Sequence, residues 1–212
     1  MPRRPAVLTL ALSLALTLLA ADAGAASIAS GDAHPASRRP PAERGEGLYG
    51  RTLLSAHIGF SAPTGHFGDV YDSGPGFGGS IGYGVSRNVV LSLGLAYHHF
   101  DNQATSTLNA SITPFTMDAV VALPSSSKVK PWIGGGMGMY HVKESLDLVS
   151  GGILTRDSIS ENNFGMNIGA GLMGRVSPRA MFGGGVKYHQ VWGNEFIDTP
   201  FMTVQLGMAW LL

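Results

Sequence analysis

The chain has 212 residues, and its 14 Lys+Arg balance 14 Asp+Glu. That neutrality denies a nucleic-acid partner the basic face it needs, and the lack of cysteine removes disulfide frameworks, thiolate-held zinc, iron–sulfur clusters and thiol catalysis. Charged residues are 13% of the chain, about half the usual share, and the 30 glycines are about twice the usual number, which suits a membrane protein or an unusual all-β one.

Residues 1–26 read as an export signal. Arg3 and Arg4 give the positive start, Ala6–Ala20 is a 15-residue apolar run, and Ala21-Asp22-Ala23 and Ala23-Gly24-Ala25 offer small-x-small cleavage sites. A bilayer span needs about 20 apolar residues, so the run is short for an anchor. Residues 27–50, with Pro35, Pro40, Pro41 and scattered charge, lack periodicity and read as a flexible periplasmic tail. No later stretch is apolar for long enough to form a transmembrane helix.

From Arg51 onward the pattern alternates with period two, eight times over. The first strand sets Leu54, Ala56, Ile58 and Phe60 against Ser55, His57, Gly59 and Ser61. The second sets Phe77, Ile81 and Tyr83 against Gly78, Ser80, Gly82 and Gly84. The third sets Val89, Leu91, Leu93, Leu95 and Tyr97 against Ser92, Gly94, Ala96 and His98. The fourth carries Phe115, Met117, Ala119, Val121 and Leu123 opposite Thr116 and Asp118. In the fifth, Ile133, Met137 and Met139 oppose Gly134, Gly136 and Gly138, with Trp132 and Tyr140 on the glycine face. The sixth sets Phe164, Met166, Ile168, Ala170 and Leu172 against Asn163, Gly165, Asn167, Gly169, Gly171 and Arg175. The seventh sets Phe182, Val186, Tyr188 and Trp192 against Gly183, Gly185, Lys187 and His189. The eighth sets Met202, Val204, Leu206, Met208, Trp210 and Leu212 against Thr203, Gln205, Gly207 and Ala209.

In each strand the bulky face is apolar and the other is mostly Gly, Ser, Asn and Thr. A soluble barrel points its bulk inward; small polar residues instead suit a narrow lumen, and the bulky face suits lipid. Links after strands two, four and six are short (Ser86-Arg87-Asn88, Pro124–Lys128, Ser177-Pro178-Arg179). Those after the odd strands are longer, with Ala62–Pro75 and Lys143–Glu161 the largest. Short periplasmic turns alternating with long outer loops are the pattern of an outer-membrane barrel. The expected fold is therefore all-β, an eight-stranded antiparallel transmembrane up-and-down β-barrel over residues 51–212, with both ends periplasmic.

Three segments carry a family resemblance: Gly59-Phe60-Ser61-Ala62-Pro63-Thr64-Gly65, Lys130-Pro131-Trp132-Ile133-Gly134-Gly135-Gly136-Met137-Gly138, and the terminal strand Thr203–Leu212. Residues 51–212 resemble the small outer-membrane β-barrels of the OmpA transmembrane, OmpX and OmpW kind. The resemblance implies the fold, outer-membrane lipid as surroundings, and recognition of the C-terminal strand by the assembly machinery. Such chains usually end in an aromatic residue; here Leu212 is last and Trp210 stands two places back. The chain stops with its last strand, without the periplasmic peptidoglycan-binding domain of full OmpA proteins. Fold does not fix activity.

Candidate sites are weighed next. Gly74-Pro75-Gly76-Phe77-Gly78-Gly79 spells G-x-G-x-x-G, but a strand rather than a helix follows, so a loop-to-strand glycine run is expected. His98 and His99, near Asp101, point to opposite faces of a strand and read as rim histidines. Ser92, His57 and Asp118 are the one lumen-facing Ser/His/Asp set, without evident nucleophile–base geometry. No catalytic, cofactor or metal residue is assigned. Asp118, Lys187, Arg175, His57 and His189 are expected to form a structural polar network in the lumen, with the glycines at 165, 169, 171, 183 and 185 leaving room for Lys187 and Arg175 to reach across.

The periplasmic rim carries Arg51, Arg87, Lys128, Lys130 and Arg179. The outer loops carry Asp69, Asp72, Asp101, Glu144, Asp147, Asp157, Glu161, Glu195 and Asp198 against Lys143 and Arg156. This acidic face reads first as a solvated surface and second as a docking face for divalent cations or a basic partner. The leading functional expectation is a non-enzymatic barrel with a structural or surface-interaction role. A narrow OmpW-like transporter of small apolar molecules comes second, and a lipid A-modifying enzyme third.

Overall fold

The computed structural model describes residues 47–103, 108–150, 153–193 and 198–212. The stretch read as an export signal and most of that read as a tail lie outside them. The described chain is one closed barrel of eight antiparallel strands, each paired with its neighbour in sequence and the last with the first. The strands are β1 (Thr52–Pro63), β2 (Gly74–Gly84), β3 (Val89–Asp101), β4 (Leu108–Ala122), β5 (Val129–Ser150), β6 (Ile153–Ser177), β7 (Ala180–Trp192) and β8 (Phe201–Leu211). A four-residue helix, α1 (Gly65–Gly68), interrupts the β1–β2 link. Gly65 enters it at φ 59°, in the left-handed region that glycine tolerates.

The alternation translates directly into faces. Ile58, Phe77, Leu95, Met117, Ile168 and Val204 are all exposed, while Ser61, His98, Thr116, Asp118, Asn167 and Thr203 are buried. Such a molecule is turned inside out for water and right side out for lipid. Aromatic residues pair across strands on this surface: Phe77 packs on Tyr97 and Phe164 stacks on Trp192. On β5, Trp132 and Tyr140 are buried on the glycine face, so the interior there alternates large and absent side chains.

Two predicted boundaries differ. Lys143–Glu161 is a paired continuation of β5 and β6 down to Ser150↔Ile153 rather than a loop, helped by β-branched Val142 and Ile159. β4 begins at Leu108, well before the predicted Phe115. Pro114 marks the reason it was hard to see: the β3–β4 ladder runs to Leu95↔Phe115 and resumes at His98↔Ile112 in the same register. A proline has no N–H to give that ladder, yet the strand passes through it.

Gly47–Gly50, at the end of the stretch read as a tail, is bound to the periplasmic end. Leu48 N–H donates to Arg87 O at 3.1 Å and Gly50 N–H to Gly84 O at 2.8 Å. The Leu48 side chain joins Leu53, Val90 and Leu211, with Met181 against them, in an apolar layer across that end.

Candidate functional site

The interior is built in tiers, because each strand contributes every second residue to it. At mid-barrel, Asp118 on β4 is the centre of a polar group. Its Oδ2 accepts from Thr116 Oγ1 at 2.7 Å and its Oδ1 from Asn167 Nδ2 at 2.8 Å, with Lys187 Nζ 3.8 Å from Oδ1. Opposite charges and two hydrogen bonds together offset the desolvation that a lone buried carboxylate would suffer. Beside this group lies a chamber of about 210 Å³, whose lining includes His57, Ser92, Asp118, Trp132, Asn167 and Lys187.

Above it, toward the outer end, sits a histidine tier. His98 Nδ1 meets Ser61 Oγ at 2.7 Å, and Ser61 Oγ lies 3.1 Å from Thr203 Oγ1. His189 Nδ1 meets the Tyr140 hydroxyl at 3.1 Å, and its ring stacks on Phe201 with centroids 4.4 Å apart.

The next tier is apolar. Phe201 packs edge-on against Phe100, Phe100 against Phe67 of α1, and Phe67 against Tyr71. With Ile112, Tyr140, Val142 and Val191 these form one buried cluster across the outer mouth. Burial and the Glu144 carboxylate, to which the Tyr71 hydroxyl donates, push the Tyr71 phenol up. The lumen thus runs from an apolar layer, through histidines and an ion pair, to a small chamber and a second apolar layer.

The predicted site residues distribute unevenly over these tiers. Asp118 and Lys187 meet, His57 lines the chamber beside them, and His189 lies one tier higher. Arg175 is exposed near the periplasmic end of β6, next to a register shift between Arg175 and Ser177, outside the buried group.

The glycines also act differently from expectation. A Cβ at Gly185 would lie 2.5 Å from Trp132 Cζ2, one at Gly171 2.8 Å from Trp132 Cε2, and one at Gly165 2.6 Å from Tyr140 Cε2. They seat two aromatic rings; only Gly169 clears the arm of Lys187, 2.6 Å from its Cγ.

His98 is a correction: it is 2% exposed and belongs to the interior, not the rim, whereas His99 faces outward with Asp101 at 3.2 Å. Ser92 is the cross-strand partner of Asp118, and His57 lines the same chamber, but the carboxylate's hydrogen bonds go to Thr116 and Asn167. Gly74–Gly79 lies in β2, with no helix following, so no dinucleotide cradle forms.

Sequence reasoning missed the outer apolar tier. Phe100 and Phe201 stand two residues from His98 and Thr203, so continuing the alternation would have placed them inward. Phe67, on a four-residue helix, carries no periodic signal. At the outer rim, Glu195 lies outside the described residues and no side chain is described at Asp147 or Arg156. Asp69, Asp72, Asp101, Asp157 and Asp198 are exposed.

Comparison with known proteins gives one concordant picture. The family model for the outer membrane protein beta-barrel domain matches residues 9–210. No curated protein matches the chain. Among solved structures, Neisserial surface protein A aligns over 75% of this chain and 96% of its own, at 17% identity and a TM-score of 0.58. Outer membrane protein OprG of Pseudomonas aeruginosa aligns over 79% and 98%, at 15% identity and 0.53. Ail, the attachment invasion locus protein of Yersinia pestis, aligns over 78% and 100%, at 18% identity and 0.51. At these identities the likeness is one of fold.

Proposed function

The chain belongs to the outer membrane protein beta-barrel family, and from that premise we propose that it is a non-enzymatic barrel with a closed lumen, working through its outer rim. The observation that carries this reading is the succession of fillings across the lumen. Phe67, Phe100 and Phe201 cross the outer mouth, Asp118 and Lys187 pair below them, and Leu48, Leu53, Val90 and Leu211 cross the periplasmic end. An eight-stranded barrel has an interior only just wide enough for its side chains. Filled this way, it leaves solutes no continuous path.

The outer end is where chain length is spent. β5 and β6 have 22 and 25 residues, against 11 to 15 in the other strands. A membrane strand needs about 9–11 residues, so this hairpin extends well past the lipid. It carries Glu144, Asp157 and Glu161 into an acidic rim that suits a basic or cationic partner.

Liposome swelling tests the closed lumen. Vesicles holding the refolded protein should swell in small sugars and amino acids no faster than protein-free vesicles. Swelling that accelerates with protein content would favour the narrow transport barrel instead.

A further inference from the structure

At the outer end, α1 and the extensions of β4, β5 and β6 enclose a second cleft of about 250 Å³. Its lining combines apolar Phe67, Val142 and Ile159 with the polar side chains of Glu144, Glu161, Asn163 and Thr199. Glu144 and Glu161 lie there, with the Tyr71 hydroxyl donating to Glu144 and His66 at the exposed edge beside Asp69; among the described residues no Lys or Arg lines the cleft. Two further polar groups face it without partners: Asn163 Oδ1 and Thr199 Oγ1 are buried, in residues 3% and 7% exposed, and neither makes a hydrogen bond. Asn163 directs its Nδ2 to Glu161 Oε2 at 3.4 Å, which commits its donor side and leaves the carbonyl oxygen free to accept.

A buried acceptor left unpaired is costly, and native structures seldom keep one without a reason. Here the missing element is a donor, preferably charged, because the two carboxylates only accept when ionised. A bare metal ion fits poorly. Among the described residues no group of three or more His, Cys, Asp or Glu could hold one, and most of the wall is hydrocarbon. The volume lies below the about 300–1,000 Å³ of pockets for drug-sized ligands, so the occupant is small.

We propose that this cleft binds a small organic cation: a primary ammonium or guanidinium group carried on an apolar body. The cationic head donates to Glu144, Glu161 and Asn163 Oδ1, and the body lies against Val142, Ile159 and the face of Phe67, where a cation–π contact adds to the attraction. This deepens the reading of the outer rim as the working surface and rests on it, though the two fail separately.

The test uses the full protein refolded in zwitterionic lipid nanodiscs, observed by amide NMR during titration with hexylammonium chloride. Saturable shifts are expected at Tyr71, Val142 and Asn163. Hexanol, sodium hexanoate and magnesium chloride at the same concentrations should leave those amides unmoved. Glu144→Gln with Glu161→Gln should weaken the response at least about tenfold. Ile159→Trp, which fills the cleft from its exposed edge and keeps both carboxylates, should abolish it. An equal response to hexanol, or to magnesium, would overturn the proposal, as would a response indifferent to both variants. A barrel that conducts ions but keeps the ammonium response would sink the closed-lumen reading and leave this one standing.

Discussion

Replacing Asp118 with alanine should cost the barrel about 3 kcal/mol, and the surroundings fix that figure. The carboxylate is 6% exposed, accepts two hydrogen bonds shorter than 3 Å, and is the one acid lining the mid-barrel chamber. Its loss leaves the Lys187 ammonium, 20% exposed, without a counter-charge, and leaves Asn167 Nδ2 and Thr116 Oγ1 without an acceptor. Removing one partner of a buried pair costs about 3–5 kcal/mol. The adjoining chamber of about 210 Å³ can admit water to the ammonium, which places the expectation at the lower end of that range. Removing both charges, as Asp118→Leu with Lys187→Met, should return stability to within about 1 kcal/mol of the parent, since an apolar replacement of a buried pair is often neutral. Urea unfolding from lipid vesicles, followed by tryptophan fluorescence, measures both variants, with an unchanged m-value as the control. A loss below about 1 kcal/mol for Asp118→Ala, or a double variant no better than the single one, would refute the pairing.

On the lipid face, Leu93→Arg and Ile168→Arg should each cost about 2–4 kcal/mol at mid-bilayer depth in the same assay. A lipid-soluble thiol probe should label Leu93→Cys and spare Ser92→Cys; equal labelling would contradict the alternation. Gly185→Ala should cost about 1–3 kcal/mol, because its new methyl group meets the Trp132 ring. Gly174→Ala, whose nearest neighbours would be 3.7 Å away, should cost much less, and similar losses at the two positions would show that packing space is not what the glycines supply.

Most of the fold was legible because one physical rule, alternation, repeats eight times and is inverted in the same sense each time. Ile168 and Asn167 illustrate it: neighbours in sequence, one exposed and one buried. Alternation gives the face but not the depth: counting by twos from Asn167 reaches Arg175, which is exposed at the periplasmic end of β6. Pro114 hid the first half of β4, since the loss of one N–H reads locally as a strand end.

The site was only partly legible for a different reason. Asp118 and Lys187 could be matched as the opposite charges of one narrow interior, but their heights depend on strand tilt, which the sequence does not state. The paired Ser61 and His98 lie 37 residues apart on β1 and β3, and they meet over Gly76 of the intervening β2, whose missing side chain leaves the room. The acidic rim was visible as composition. Its cleft was not, because the Asn163 carbonyl oxygen and the Thr199 hydroxyl become buried polar groups without partners only once α1 and the β5–β6 extension enclose them.

Single-channel recording in a planar bilayer tests the closed lumen most directly. The parent protein should give no steady current above that of lipid alone, while Phe100→Ala with Phe201→Ala, which removes the centre of the outer apolar tier, should give discrete conductance steps. Stable steps from the parent protein, changed in size by Asp118→Ala and Lys187→Ala, would mean that the polar groups line a conducting path, and would contradict the account.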